Sequence, residues 1–239
     1  MTGEVKRMKR TLILIIAYVF VTAGCLGIAR MGSRAVTVMI ETAPIPNRIC
    51  YIIDAGHGGV DGGATSCTGV LESQLNLEIA LRLECMMQFL GCDTRMIRRS
   101  DTSIYTEGET IAAKKVSDLK QRVKIVNETE NAVLISIHQN TFPDSRYHGP
   151  QVFYAADEES KALAQTLQAQ LSSALDPDSH RQCKSASGIY LMQRIERPGV
   201  LIECGFITNP EEESRLRSTF YQQKLSAIVA VAMCKACCV

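Results

Sequence analysis

The sequence contains no tryptophan, and its aromatic residues amount to only 5% of the chain. Stacking platforms of the kind that hold single-stranded nucleic acid or sugar rings are therefore not on offer. An excess of charge of one sign is missing as well: 26 Lys and Arg stand against 25 Asp and Glu, for a net charge of +1. No basic field draws this chain onto phosphates, which excludes nucleic acid as a partner. The chain also lacks a His-Glu-x-x-His helix, a Gly-x-Ser-x-Gly elbow and a Gly-rich phosphate loop ending in Lys. The common metalloprotease, serine hydrolase and nucleotide-binding readings thus lose their motifs. Internal repeats and low-complexity tracts are absent, and 239 residues at 46% hydrophobic supply one globular domain with a sizeable core.

One long apolar run is present. Lys6, Arg7, Lys9 and Arg10 precede an almost wholly apolar stretch over 12–29, and Arg30 and Arg34 follow it. The heavier basic flank lies before the run, so the N-terminus is expected to stay in the cytoplasm while the remainder crosses. The length falls between a spanning helix and a signal peptide. Residues 1–34 are accordingly read as a signal anchor or signal peptide, with an uncleaved anchor preferred. Residues 35–47, with two prolines, read as a linker, and 48–239 as the folded domain. Exported chains can carry disulfides, yet most of the ten cysteines have no module-like spacing and read as small apolar core residues. Cys234, Cys237 and Cys238 cluster at the end of an expected helix, and a single Cys-x-x-Cys is weak evidence for metal.

From residue 48 onward, β-like runs alternate with helical patterns over 49–54, 72–89, 93–98, 118–129 and 132–138. The series continues over 151–155, 158–175, 188–193 and 200–204, and closes with a helix over 219–234. Such alternation predicts a single α/β domain: a twisted, mostly parallel or mixed sheet with helices on both faces, preceded by the N-terminal hydrophobic helix. Ile79, Leu83, Met86, Met87 and Leu90 recur at helical spacing and mark a core-facing stripe. Ala132-Val133-Leu134-Ile135 and Val200-Leu201-Ile202 are continuous apolar runs, as strands covered on both sides require. Between them, 100–117 is long for a connector, a length found in lids, docking surfaces and disordered surface segments alike.

Polar residues stand at the ends of these strands. His57 follows the first in Asp54-Ala55-Gly56-His57-Gly58-Gly59, and His138 ends another in Ser136-Ile137-His138-Gln139-Asn140. Glycines around His57 allow a tight turn and close approach to a bound ion. Each histidine alone also reads as a hydrogen-bonded structural residue, and Glu72 alone as a first-turn acid favoured by the helix dipole. Glu203 closes an apolar strand, where burial raises a carboxyl pKa and suits it to moving protons. Together the four supply two imidazoles, a ligating carboxylate and a further carboxylate, the inventory of a hydrolytic zinc site with a fourth position open to water. His148 and His180 read as ordinary loop residues.

Four blocks in order carry a resemblance: Ile53-Asp54-Ala55-Gly56-His57-Gly58-Gly59-Val60-Asp61-Gly62-Gly63-Ala64, then Glu72, then Ser136-Ile137-His138-Gln139-Asn140, then Ile202-Glu203-Cys204-Gly205-Phe206-Ile207-Thr208-Asn209. The chain from residue 49 onward resembles the zinc-dependent N-acetylmuramoyl-L-alanine amidases, cell-wall hydrolases. Asp118-Leu119-Lys120-Gln121-Arg122-Val123 and Gly188-Ile189-Tyr190-Leu191-Met192 look closer to the sporulation branch, whose members remove stem peptides before spore-cortex muramic lactam forms. The resemblance implies one Zn2+ held by His57, Glu72 and His138, with Glu203 as the catalytic proton carrier. It also implies peptidoglycan as substrate, an accessory activator protein as a further partner, and an extracytoplasmic location, in a spore former around the developing cortex. Two other readings use the same residues: a catalytically silent peptidoglycan-binding or scaffold protein, and a zinc peptidase cutting within the stem peptide. Cys204 departs from the small or apolar residue expected beside the catalytic carboxylate; strand alternation predicts that it points into the core.

Overall fold

A computed structural model describes residues 48–236; the expected N-terminal anchor or signal peptide (1–34), the expected linker (35–47), Cys237 and Cys238 lie outside the described residues. A compact unit begins at Arg48. Its first strand, β1 (Cys50–Ala55), leads through a glycine-rich loop to helix α1 (Glu72–Phe89) and strand β2 (Asp93–Met96). Helix α2 (Ile111–Glu128), strands β3 (Ala132–Asn140) and β4 (Gln151–Tyr154), and helix α3 (Glu158–Leu175) follow. The remainder comprises β5 (Lys184–Ser185), α4 (Tyr190–Arg194), β6 (Gly199–Phe206), α5 (Pro210–Leu216) and α6 (Thr219–Ala236).

The sheet is mixed, in the order β2-β1-β3-β6-β4-β5. β1, β2, β3 and β6 run parallel, and β4 runs antiparallel to β6. Both faces are covered, which is why the central strands read as continuous apolar runs. Ile53, Ile135, Ile137, Ile202 and Cys204 face a large core built with α1, α3 and α6. Ile52, Leu134 and Leu201 face a smaller one with Leu191 and Met192 of α4 and Val126 of α2. Each side chain of Leu or Ile size buried there contributes about 1.5–3 kcal/mol relative to exposure. The expected α/β layering is thus present, and Cys204 lies fully buried in the larger core, as alternation of the strand predicts. Burial pushes its thiol far above the ordinary cysteine range.

Four elements depart from or add to the sequence reading. Helix α2 begins at Ile111 rather than near residue 118: the Thr110 side chain accepts a hydrogen bond from the Ala113 N–H and caps it. Its first turns are largely exposed, so no apolar stripe announces them. The connector before it is shorter than 100–117 and is tied down. Asp101 accepts from the Gly59 N–H at 3.0 Å, Ser103 Oγ donates to the Gly58 carbonyl, and the Ile104 N–H donates to Asp118. Around 188–193, a brief apolar run that does not by itself distinguish helix from strand, the chain forms the short helix α4. The two-residue strand β5 and helix α5 carry too little periodicity to be anticipated.

Candidate metal centre

The strand order reverses direction between β1 and β3: from β1 the chain moves outward to β2, then returns to the other side for β3. Ligand sites in open α/β sheets form at such a point, beyond the carboxyl ends of the strands. His57 lies just past β1, and His138 lies near the end of β3, paired in register with Glu203 of β6. Glu72 opens α1, where the helix dipole favours an acid.

The ligand atoms of His57, Glu72 and His138 all lie within 4.8 Å of one another. His57 Nε2 is 3.3 Å from Glu72 Oε2, and His138 Nδ1 is 3.0 Å from Glu72 Oε1. The two imidazoles meet nearly edge to face, with ring centroids 5.0 Å apart. Glu72 is aimed from behind: Oε2 accepts from the Ala64 N–H, and Oε1 accepts from the Gln139 N–H and from Asn76 Nδ2. His57 is aimed by Asp61, whose Oδ2 lies 2.8 Å from Nδ1 and leaves Nε2 turned toward Glu72. Asp61 is held in turn by Lys115 at 2.8 Å.

Electrostatics follow from this geometry. Burial pulls the His57 pKa down, but the hydrogen bond and charge of Glu72, followed by those of Asp61, outweigh it and put His57 at about 8. Burial raises Glu72, yet hydrogen bonds from His138 and His57 hold it far below the usual carboxylate range. Glu203 goes the other way. Burial pushes its carboxyl up to about 7; His138 opposes this, Glu72 adds to it and His57 opposes it. Its Oε2 is shut off from solvent and has no hydrogen-bond partner among the described residues. Glu203 lines a cavity of about 260 Å³ together with His57, His138, Lys115, Leu119 and Tyr190.

The loop carrying His57 is built for close approach. His57 itself has φ 61°, a left-handed conformation rare outside glycine. A Cβ on Gly56 would lie 2.2 Å from two atoms of the His138 ring, and one on Gly63, with φ +68°, would lie 2.6 Å from Glu72 Oε2. Two buried arginines grip the loop. Arg122 donates to the Ala55 and His57 carbonyls and pairs with Asp54 and Asp118; Arg98 donates to the Ala55 and Gly56 carbonyls. Asp54 also accepts from Ser136 Oγ of β3. Sequence reasoning did not assign Arg98, Arg122, Asp54, Asp61 or Asn76 to the site. One signal was available: Asp118 and Arg122 are spaced i, i+4 on a helix and form a pair.

All four predicted site residues therefore come together, while His148 pairs with Asp176 in an exposed loop. Two imidazoles and a carboxylate, held by hydrogen bonds to their far sides, match the donor set of catalytic zinc, and the spacing fits a single ion. Glu203, with one carboxylate oxygen buried and partnerless, lines the adjoining cavity with His57 and His138.

Comparison with known proteins agrees with this geometry. Residues 52–235 match the family described as N-acetylmuramoyl-L-alanine amidase. The germination-specific N-acetylmuramoyl-L-alanine amidase of Bacillus subtilis is 39% identical over 188 residues, covering 78% of each chain. Among solved structures, the CwlD amidase from Clostridioides difficile in complex with the GerS lipoprotein has a TM-score of 0.76 at 34% identity, covering 80% of this chain and 99% of that one. An N-acetylmuramoyl-L-alanine amidase from Clostridium difficile 630 superposes with a TM-score of 0.69 at 29% identity, covering 79% and 96%.

Proposed function

The chain belongs to the N-acetylmuramoyl-L-alanine amidase family, and from that membership we propose that it hydrolyses the amide between N-acetylmuramic acid and L-alanine in peptidoglycan. Removal of stem peptides during spore-cortex maturation is the setting, supported by the likeness to a germination-specific amidase and to CwlD. One zinc ion is held by His57, Glu72 and His138, and the observation that carries this reading is the convergence of those ligands beside Glu203. The bound ion supplies Lewis-acid polarisation of the carbonyl and a lowered pKa for water.

The protein's own groups do the rest. Asp61 fixes the ring orientation of His57, and the backbone N–H groups of Ala64 and Gln139 fix Glu72, so the ligands are arranged before substrate arrives. Glu203, with a pKa near neutrality, takes a proton from the attacking water on its carboxylate and hands it to the departing L-alanine nitrogen. Without that transfer the leaving group would be an amide anion. Leu119 and Tyr190 form part of the cavity wall beside these groups.

The chain acts outside the cytoplasm, exported or anchored through its N-terminal apolar segment. The complex of CwlD with the GerS lipoprotein supports an accessory protein as a partner here also. The deciding experiment is mass spectrometry of products from purified sacculi, with and without a chelator. Intact glycan and free stem peptides beginning at L-alanine are expected, lost with chelator and restored by zinc. Cuts inside the stem peptide would establish a peptidase, and binding without release a silent scaffold; either overturns the reading.

A further inference from the structure

Cys92 and Cys234 are 142 positions apart in sequence, yet their sulfurs lie 2.6 Å from one another. Cys92 sits in the turn after α1, with its N–H bonded to the Met87 carbonyl at 2.9 Å. Cys234 lies in the final turns of α6, beside Met233, whose carbonyl accepts from Tyr51 Oη of β1. Both cysteines are half-buried against the large core that joins α1 to α6. Two non-bonded carbons rest about 3.5–4.0 Å apart, and sulfur is larger than carbon. The separation is only about 0.5 Å beyond the bonded S–S length of about 2.05 Å. Among the described residues this is the one sulfur–sulfur contact. Cys67 and Cys85 are exposed, and Cys204 is a core thiol.

We propose that Cys92 and Cys234 form a disulfide that fastens the C-terminal helix to the turn following α1. This departs from the sequence expectation of no disulfide framework. It rests on the proposed function only for the oxidising compartment that an exported chain meets. The oxidant is a small-molecule or protein disulfide. One cysteine loses its proton and attacks a donor sulfur, breaking the donor S–S bond to give a mixed disulfide and one donor thiol. The second cysteine, as thiolate, then displaces the other donor sulfur. The Cys92–Cys234 bond forms, the donor is reduced to two thiols, and the two protein protons end on them.

The crosslink closes a long loop in the unfolded chain and pins an element that would otherwise fray from its end. The test is peptide mapping of the full chain after incubation with oxidised glutathione and alkylation of remaining thiols. Tryptic cleavage places Cys92 in peptide 83–95, Cys234 in 225–235, and Cys237 with Cys238 in 236–239. The expected product is 83–95 joined to 225–235. It persists in Cys85→Ser and disappears in Cys92→Ser and in Cys234→Ser. Reductant is expected to lower the Tm of the oxidised wild type by about 5–15 °C and to leave Cys92→Ser unmoved. Alkylation of both Cys92 and Cys234, a link through Cys85, or a link to 236–239 overturns the proposal, as does an equal response of both proteins to reductant. Amidase activity and zinc content, measured on the same samples, report on the function separately.

Discussion

Glu203 and His57 line one cavity, and the pKa of each is raised there for a different reason. Glu203 is pushed toward neutrality by burial, with one carboxylate oxygen buried and partnerless. Replacing it with Gln keeps the shape and removes the proton carrier; turnover is expected to fall at least about 100-fold to 10,000-fold while zinc content stays at one ion. Activity near that of the wild type would end its assigned role. His57, held at about 8 by Glu72 and Asp61, must give up its proton before it ligates. Zinc affinity measured against pH should therefore rise about tenfold per unit below pH 8 and level off above it. Asp61→Asn weakens the hydrogen bond that turns Nε2 inward, and a loss of about 10- to 100-fold in zinc affinity is expected by competition with a chromophoric chelator. The four positions that converge were legible because His and Glu stand at the ends of apolar strands or open a helix. The residues that aim them were not, since Asp61 reads as a loop acid and Asn76 as one more polar position on a helix.

Two helices and one loop turn those residues into a site. Gly56 gives the loop after β1 room to lie against His138; Gly56→Ala would put a methyl group 2.2 Å from atoms of that ring and displace it. Loss of zinc binding with unchanged far-UV circular dichroism is the expected result. Beneath the loop, Arg122 of α2 is buried between Asp54 and Asp118 and donates to two loop carbonyls. Arg122→Met leaves both carboxylates uncompensated and is expected to cost about 3–5 kcal/mol in urea unfolding. A change under about 1 kcal/mol would show that the network does not carry the loop. The sequence made the central strands plain through continuous apolar runs and the long helices through their periodicity, down to the limits of α1 and the start of the last helix. It missed the start of α2, whose capped first turns are exposed and carry no apolar stripe, and it left open the type of the run around 190–194, too short for any period to show.

At the scale of the molecule, the mixed sheet brings together residues from distant parts of the chain and leaves them on its α2 and α4 side, opposite the larger core. Among the described residues no helix is long and apolar enough to cross a membrane. The fold layer and the site layer have separate supports: the large core holds α1, α3 and α6, while buried arginines and short hydrogen bonds hold the loop. A metal centre assembled this way has a definite ligand signature. X-ray absorption at the zinc edge on the purified protein measures it directly. Two imidazole nitrogens and a carboxylate oxygen at about 2.0–2.2 Å, with no sulfur, are predicted. A sulfur shell at about 2.3 Å would place the ion on the cysteines and contradict the account.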